Sequence, residues 1–289
     1  MNSELPLVSI VTPSFQQGAF IEDTILSVKN QTYPNIEHVI MDGGSTDGTV
    51  EILKRYEGSY RMSWVSEHDD GQSDAINKGF ARITGQIVGW LNSDDVYFNE
   101  RVVEDMVKEF ARGDADVVYG NDALIGPQGE ILRIRMFPKF SYGRLRRYGG
   151  ISQPAVFFHR SVVEHHRLRT DLVYAMDTEF WLRLGKTCRF RHLNKVLAGN
   201  RIHAQRKMVA HRDQAHSERL KVATAYGLHL RKRATLQTLL LDKPLTALLR
   251  LWGLWYLWRG RSLERYSFPF IHPPSRIVSA LKAQLLGRF

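Results

Sequence analysis

The side chains with most chemistry to offer in this chain are aspartates standing where short apolar runs end. Asp42 lies in MDGGSTDGT, Asp69, Asp70 and Asp74 lie in HDDGQSDAINKG, and Asp94 with Asp95 closes WLNSDD. Asp177 follows much later, in MDTEFWLRL, with Glu179 two positions on. A single aspartate can simply close a loop or cap a helix. Several gathered at one edge repel one another unless a cation or hydrogen-bond donors neutralise them. The ordinary solution is a divalent metal, Mn2+ or Mg2+, shared between one or two carboxylates and the phosphates of a substrate. On this reading Asp95 is the metal ligand. Asp42 and Asp94 accept hydrogen bonds from the base and sugar of a nucleotide, as carboxylates do for ribose hydroxyls in other α/β folds.

The elements around these residues alternate between strand and helix periods. Leu7–Val11 is a buried-strand run, and Ala19–Gln31 sets Ile21, Ile25 and Val28 at helical spacing. A strand at Ile36–Met41 precedes a helix at Thr46–Tyr56 with Ser45 or Thr46 as N-cap, and a strand at Met62–Ser66 precedes a helix at Ser73–Ile83. The strand Ile87–Leu91 then runs into Asp94 and Asp95. Such repeats predict an α/β domain, a mainly parallel sheet with helices on both faces, whose ligands bind at the carboxyl ends of the strands. Further on, the pattern predicts a helix at Arg101–Ala111, a strand at Asp116–Tyr119, a hairpin turn at Gly126, Pro127 and Gly129, a strand at Ala155–His159 and a helix at Thr178–Leu184. From about Arg212 onward only helix is legible, broken at Pro244. The expected organisation is a catalytic domain over residues 1–212 and a helical basic appendage over 213–289.

Charge divides the chain in the same way. Of the 40 Lys and Arg and 30 Asp and Glu, residues 229–289 hold 11 and 2, so +9 of the net +10 sits in the tail. A basic block attracts phosphate, whether of nucleic acid or of an anionic membrane. The neighbouring run LTALLRLWGLWYLW, with Trp252, Trp255, Tyr256 and Trp258, has the amphipathic rings favoured at a lipid headgroup boundary, and Arg231, Lys232, Arg233, Arg259 and Arg261 flank it. That favours peripheral contact with an anionic membrane over nucleic acid. Packing of the same helix against the protein is an equal alternative, since its apolar residues cover most of the circumference. The N-terminus has no basic region followed by an apolar stretch, and no window reaches a membrane-spanning length. With one cysteine, Cys188, an intramolecular disulfide is excluded. The expected location is the cytoplasm, with the inner face of the membrane as an attachment site.

No Walker-type phosphate loop and no G-x-G-x-x-G occurs, which counts against kinases and dinucleotide oxidoreductases. Five ordered blocks, VSIVTPSFQ, MDGGSTDGT, GQSDAINKG, WLNSDD and MDTEFWLRL, instead resemble the family 2 glycosyltransferases, the inverting family with the Rossmann-like GT-A fold, of the type used in bacterial polysaccharide and glycolipid synthesis. The resemblance runs from about Pro6 to His203. It implies a nucleotide-sugar donor, a saccharide or lipid-linked acceptor and a divalent metal. The substrate-binding set it implies is Thr12, Pro13, Ser14, Asp42, Asp74, Ser93 and Asp94. Asp95 would bind the metal, with His203 as a second ligand or else a lone surface histidine. Asp177 would be the catalytic base.

The chain departs from the family at Gln16, where Asn is common, and at Ser93, which replaces the first acid of an Asp-x-Asp. Met176 before Asp177 departs from the usual Glu-Asp and makes Glu179 a rival base. As the first residue before a helix, Asp177 is also expected to be an N-cap with a lowered pKa. Gln153, Pro154 and Arg183 are expected on the acceptor side or in packing. Two alternatives stand beside this reading: a nucleotidyltransferase making sugar nucleotides, against which the first strand is followed by no basic residue, and a nucleic-acid-binding protein using the basic tail.

Overall fold

The computed structural model describes residues 5–149, 151–207, 211–227 and 243–259. Its first half follows the alternating pattern closely. Strand β1 (Val8–Ser14) leads through helix α1 (Ile21–Lys29) to β2 (Ile36–Asp42), and α2 (Thr49–Tyr56) leads to β3 (Met62–Ser66). Helix α3 (Gln72–Arg82) then leads to β4 (Ile87–Trp90). All three pairings are parallel: Val8 lies opposite Ile36, His38 opposite Met62, and Val8 opposite Ile87 on the other side.

The second half is β5 (Val96–Tyr97), α4 (Val102–Phe110), β6 (Val117–Ile125), β7 (Ile131–Arg135), α5 (Tyr142–Tyr148), a 3-10 turn at Gln153–Ala155 and β8 (Val156–His159). It continues with α6 (Arg160–His165), α7 (Met176–Leu184), β9 (Phe190–Arg201), α8 (Arg212–Ala225) and α9 (Lys243–Arg259). Among the described residues the sheet has nine strands, in the order β3-β2-β1-β4-β8-β6-β9-β5 with β7 beside β6. Its unbroken parallel run stops at β4, although β6 and β9 pair in parallel further along the sheet. Strand β8 runs antiparallel to both β4 and β6, and β6 and β7 form the expected hairpin, so the sheet as a whole is mixed. Helical crossovers enforce parallel pairing in the first half, whereas hairpin and loop returns permit antiparallel pairing in the second.

Alternation along the strands divides the core between the two faces. Val11, Val39, Met41, Val88 and Trp90 meet α3 and α7 on one face. Val8, Ile10, Ile36 and Ile87 meet α1 and α4 on the other. Gly79 lets α3 lie directly on β1, because a Cβ there would stand 2.4 Å from Val11 Cγ1. With both faces covered, only the loops after the strands remain free to bind a ligand.

Helix α8 packs on this body. Glu218 accepts the backbone N–H groups of Tyr174 and Ala175 at 2.7 Å each, and Val222 joins the core. Helix α9 seats Leu249 beside Ile134 and Met136 while Leu248, Leu251, Trp252 and Trp255 are exposed. No helix among the described residues is long and apolar enough to cross a membrane. Of the basic residues flanking α9, Arg231, Lys232, Arg233 and Arg261 lie outside the described residues.

Candidate active site

Loops after β1, β2, β3 and β4 meet α5, α7 and α8 around a cleft of about 1790 Å3, larger than the few hundred to one thousand that a single small ligand needs. Pro13, Ser14, Ser93, Asp94 and Asp177 line it, together with Asp47 and Asp69. Gln153 and Pro154 line it as well. Carboxylates far apart in sequence thus converge on one space.

The loop after β1 is locked to the loop after β2. Gln16 N–H donates to Ser45 Oγ at 2.8 Å, Gln16 Nε2 to Thr46 Oγ1 at 3.1 Å, and Thr46 N–H to Gln16 Oε1 at 3.3 Å. Ser45 and Thr46 are therefore occupied here and do not cap α2, whose first turn is met by Asp47 Oδ1 from Thr49 N–H at 3.2 Å. Gln16 has φ of 55°, the left-handed region in which Asn is enriched. Its exposed neighbour Phe15 presents a ring to the cleft.

Three of the residues expected to bind substrate are turned elsewhere. Thr12 Oγ1 lies 2.9 Å from His38 Nε2 in the core. Asp42 is buried, and its oxygens accept Ser45 N–H at 2.8 Å, Ser45 Oγ at 2.6 Å and Ser66 Oγ at 2.6 Å. It shapes the loop that borders the cleft and is not in its lining. Asp74 pairs with Lys78 at 2.8 Å and takes Asp70 N–H at 3.2 Å at the start of α3, where a carboxylate suits the positive end of the helix.

The acidic loop splits into two roles. Asp94 faces the cleft, and its Oδ2 lies 3.1 Å from His203 Nε2. His203 is no surface residue: it is buried against the ring of Phe20, and its Nδ1 has no hydrogen-bond partner among the described residues. Asp95, expected as the metal ligand, points inward below the cleft, where its Oδ1 accepts Arg201 N–H at 2.8 Å. Burial, and then the adjacent Asp94 charge, push its carboxyl up to about 8.

Asp177 and its rival are separated by one half-turn of helix. Helix α7 begins at Met176 and its N-cap is Ala175, so Asp177 lies inside the first turn rather than before it. Its carboxyl is raised, not lowered as a capping role would imply, because burial outweighs the Thr178 N–H and the Arg219 and Arg206 charges. Glu179 is turned to the far side of α7, where it holds Arg183 at 3.0 Å and accepts Tyr226 Oη at 2.6 Å. Asp177 lines the cleft and Glu179 does not. Arg183 is committed to that ion pair and to the Arg167 carbonyl at 2.7 Å.

Residues 9–164 match the sequence model of glycosyl transferase family 2. The chain belongs to this family. It is 28% identical over 212 residues to the chondroitin synthase of Pasteurella multocida (strain Pm70), covering 72% of this chain and 22% of the synthase. It is 39% identical over 104 residues to the putative teichuronic acid biosynthesis glycosyltransferase TuaG of Bacillus subtilis (strain 168), covering 35% of this chain and 41% of that protein. The chain thus spans about a fifth of the length of the chondroitin and hyaluronan synthases it resembles. Among solved structures, S. aureus TarS 1-349 in complex with UDP-GlcNAc is similar with a TM-score of 0.63 at 16% identity, over 97% of this chain and 79% of that one. The mannosyltransferase PcManGT from Pyrobaculum calidifontis, in complex with GDP-Man and Mn2+, is similar with a TM-score of 0.59 at 17% identity, over 98% and 86%. The fold of this family 2 member is therefore the GT-A type.

Two features of the family 2 site escape a linear reading. Arg201 ends β9 with a side chain that is fully buried, donating to the Asp94 carbonyl at 2.9 Å, the Pro127 carbonyl at 2.7 Å and Asp23 Oδ2 at 2.8 Å. Its only sequence signal is a cation closing an otherwise uncharged strand run, VLAGNR. A second network ties Trp90 Nε1 to Asn92 Oδ1 at 2.9 Å, Gln72 Nε2 to the same oxygen at 3.0 Å, and Asn92 Nδ2 to Gln153 Oε1 at 2.9 Å. It holds the floor of the cleft between the acidic loop and the 3-10 turn.

Proposed function

We propose that this chain is an inverting glycosyltransferase that moves a sugar from a nucleoside diphosphate to an acceptor hydroxyl in cell-surface polysaccharide or glycolipid assembly. The observation that carries the reading is the convergence of Asp94, from the loop after β4, and Asp177, from the first turn of α7, on one cleft large enough for two substrates. The base would rest at Pro13, Ser14 and the exposed ring of Phe15, and the diphosphate beside Asp94. Asp177 takes the proton of the acceptor hydroxyl as its oxygen bonds the anomeric carbon and the bond from that carbon to the diphosphate breaks. One such displacement, attacking opposite the leaving group, inverts the centre.

The residues present fit a divalent cation. A carboxylate and an imidazole stand side by side at Asp94 and His203, and the other ring nitrogen is a buried orphan among the described residues. Among the described residues no group of three or more His, Cys, Asp or Glu side chains is arranged for a metal, so the remaining ligands would be donor oxygens and water. When bound, Mn2+ or Mg2+ supplies charge neutralisation for the departing diphosphate. The complexes of TarS with UDP-GlcNAc and of PcManGT with GDP-Man and Mn2+ support both parts of this reading. The exposed face of α9 adds a peripheral contact with anionic membrane, on the cytoplasmic side where nucleotide sugars are made.

Titration of the full chain with UDP-, GDP- and dTDP-sugars, with and without Mn2+, tests the reading. Binding of one nucleotide sugar, strengthened by the metal and followed by release of the nucleoside diphosphate in the presence of acceptor, is expected. Absence of binding to all three overturns it.

A further inference from the structure

Helix α7 carries Asp177, yet the residue that starts it cannot fix its own position. Its N-cap is Ala175, which has no side-chain acceptor, and no side-chain cap bond is made there. The loop leading into α7 is pinned at Leu168, whose N–H and carbonyl are both held by the Asn77 amide of α3 at 2.9 Å. From Val173 onward the grip passes to α8. Glu218 Oε1 accepts the N–H groups of Val173 at 3.1 Å, Tyr174 at 2.7 Å and Ala175 at 2.7 Å. Its Oε2 lies 3.0 Å from the same Val173 nitrogen. Tyr174 Oη adds a bond to Gln214 Oε1 at 2.8 Å. One half-buried carboxylate thus gathers three successive amides at the end of α7 where negative charge is favoured.

Anchoring α8 does not require this clamp. Val222 sits in the core, and Arg146 donates to the Tyr226 and Gly227 carbonyls at 3.1 and 3.0 Å. What Glu218 fixes is the other partner, the backbone immediately before Asp177. Hydrogen bonds to an ionised acceptor are roughly twice as strong as neutral ones, so the first turn of α7 is held firmly by a residue from another helix. The next residue of α8, Arg219, lines the cleft, and its charge favours the ionised form of Asp177 against the burial that opposes it. Two adjacent residues therefore serve one carboxylate, the first through the α7 backbone and the second through its charge. We propose that Glu218 is a positioning residue for sugar transfer: by holding residues 173–175 it sets the first turn of α7 and keeps Asp177 in the cleft within reach of the Arg219 charge. The catalytic unit then extends through α8, past the boundary expected at residue 212. The proposal rests on the transferase reading above, with Asp177 as its base.

The test uses the full chain with Mn2+ and whichever of a UDP-, GDP- or dTDP-sugar it binds, and follows release of the nucleoside diphosphate with water as acceptor. Glu218→Ala is expected to lower kcat by about 10- to 100-fold, the scale of a misplaced reacting group, while donor KM stays within about two-fold. Glu218→Gln keeps an uncharged oxygen where Oε1 accepts all three amides, and should restore most of the rate. Amide hydrogen exchange over residues 173–178 should quicken in the alanine variant and stay slow in the glutamine one. In the double variant Asp177→Asn, Glu218→Ala the rate should fall no more than about two-fold below Asp177→Asn alone, because a residue that acts through the base has nothing left to position. Rates are compared below each melting midpoint. Glu218→Asp, which keeps the charge and draws the oxygens back by one methylene, gives a milder form of the same split should the alanine variant not fold. A wild-type kcat in Glu218→Ala or Glu218→Asp with exchange quickened, or a double variant slowed by the full factor again, overturns the proposal. Absence of binding to all three donors, or a wild-type rate in Asp177→Asn, removes the transferase reading or its base together with the proposal, and is seen before any Glu218 variant is made.

Discussion

The guanidinium of Arg201 donates to the carbonyl oxygen of Asp94 at 2.9 Å, so the last residue of the longest strand sets the loop that carries the cleft-facing carboxylate. Its other bonds, to Asp23 and to Pro127, tie that loop to α1 and to the β6–β7 hairpin at once.

Arg201→Met is therefore expected to cost about 3–5 kcal/mol, the usual effect of removing one partner from a buried charged network. Chemical denaturation measures it. Arg201→Lys, with one donor position in place of the fork, should fold better yet bind metal and nucleotide more weakly than wild type.

Asp177→Asn should lower the transfer rate by about 10²- to 10⁴-fold, the range for loss of a positioned base, with donor affinity nearly intact. Glu179→Gln breaks contacts to Arg183 and Tyr226 and should lower the melting midpoint while keeping turnover within a few-fold. Turnover and donor titration of the two variants side by side separate the roles, and wild-type turnover in Asp177→Asn would remove that residue from the reaction.

The same carboxylate sets the pH dependence of transfer. Because burial raises the Asp177 pKa, the ionised base becomes available only above the ordinary carboxylate range, and the acid limb of the rate profile should lie correspondingly high. The positive charge of Arg206 favours the ionised form, so Arg206→Gln should move that limb to higher pH. A limb that stays in place in this variant would argue for another base.

Stability should fall in acid through His38. Burial pushes this imidazole down to about 3 from 6.5, between Thr12 and Tyr60. The folded chain then binds no proton there while the unfolded chain does, so the contribution is complete above pH 6.5 and is lost as pH falls toward 3. The slope from one such group is about 1.4 kcal/mol per pH unit. His38→Gln should flatten unfolding free energy over that window, measured by denaturant titration at several pH values.

Membrane contact through α9 is checked by sedimentation with anionic vesicles. Trp252→Ser with Leu251→Ser should reduce binding, since both side chains are exposed on that helix. Unchanged sedimentation would leave the face without a lipid role.

Local pattern carried much of the first half of the fold. β3 runs over the expected Met62–Ser66 itself, and β1, β2 and β4 differ from their expected ranges by a few residues at most, because apolar runs bounded by turn residues specify buried strands locally. The mixed pairing of β6, β8 and β9 was not legible, since strand direction depends on how the chain returns and not on the strand's own residues.

At the site, residue type and strand-end position were enough to nominate Asp94, whereas Asp177 was nominated by the resemblance to family 2. Tertiary structure alone decided that Asp94 faces the cleft while Asp95 turns inward, that Glu179 is spent on Arg183 and Tyr226, and that His203 is buried beside Asp94. The physical reason is that sequence specifies which groups can ionise or donate, whereas their orientation is set by partners such as Arg201, which lies 107 residues from Asp94 along the chain and within hydrogen-bond reach of it in space.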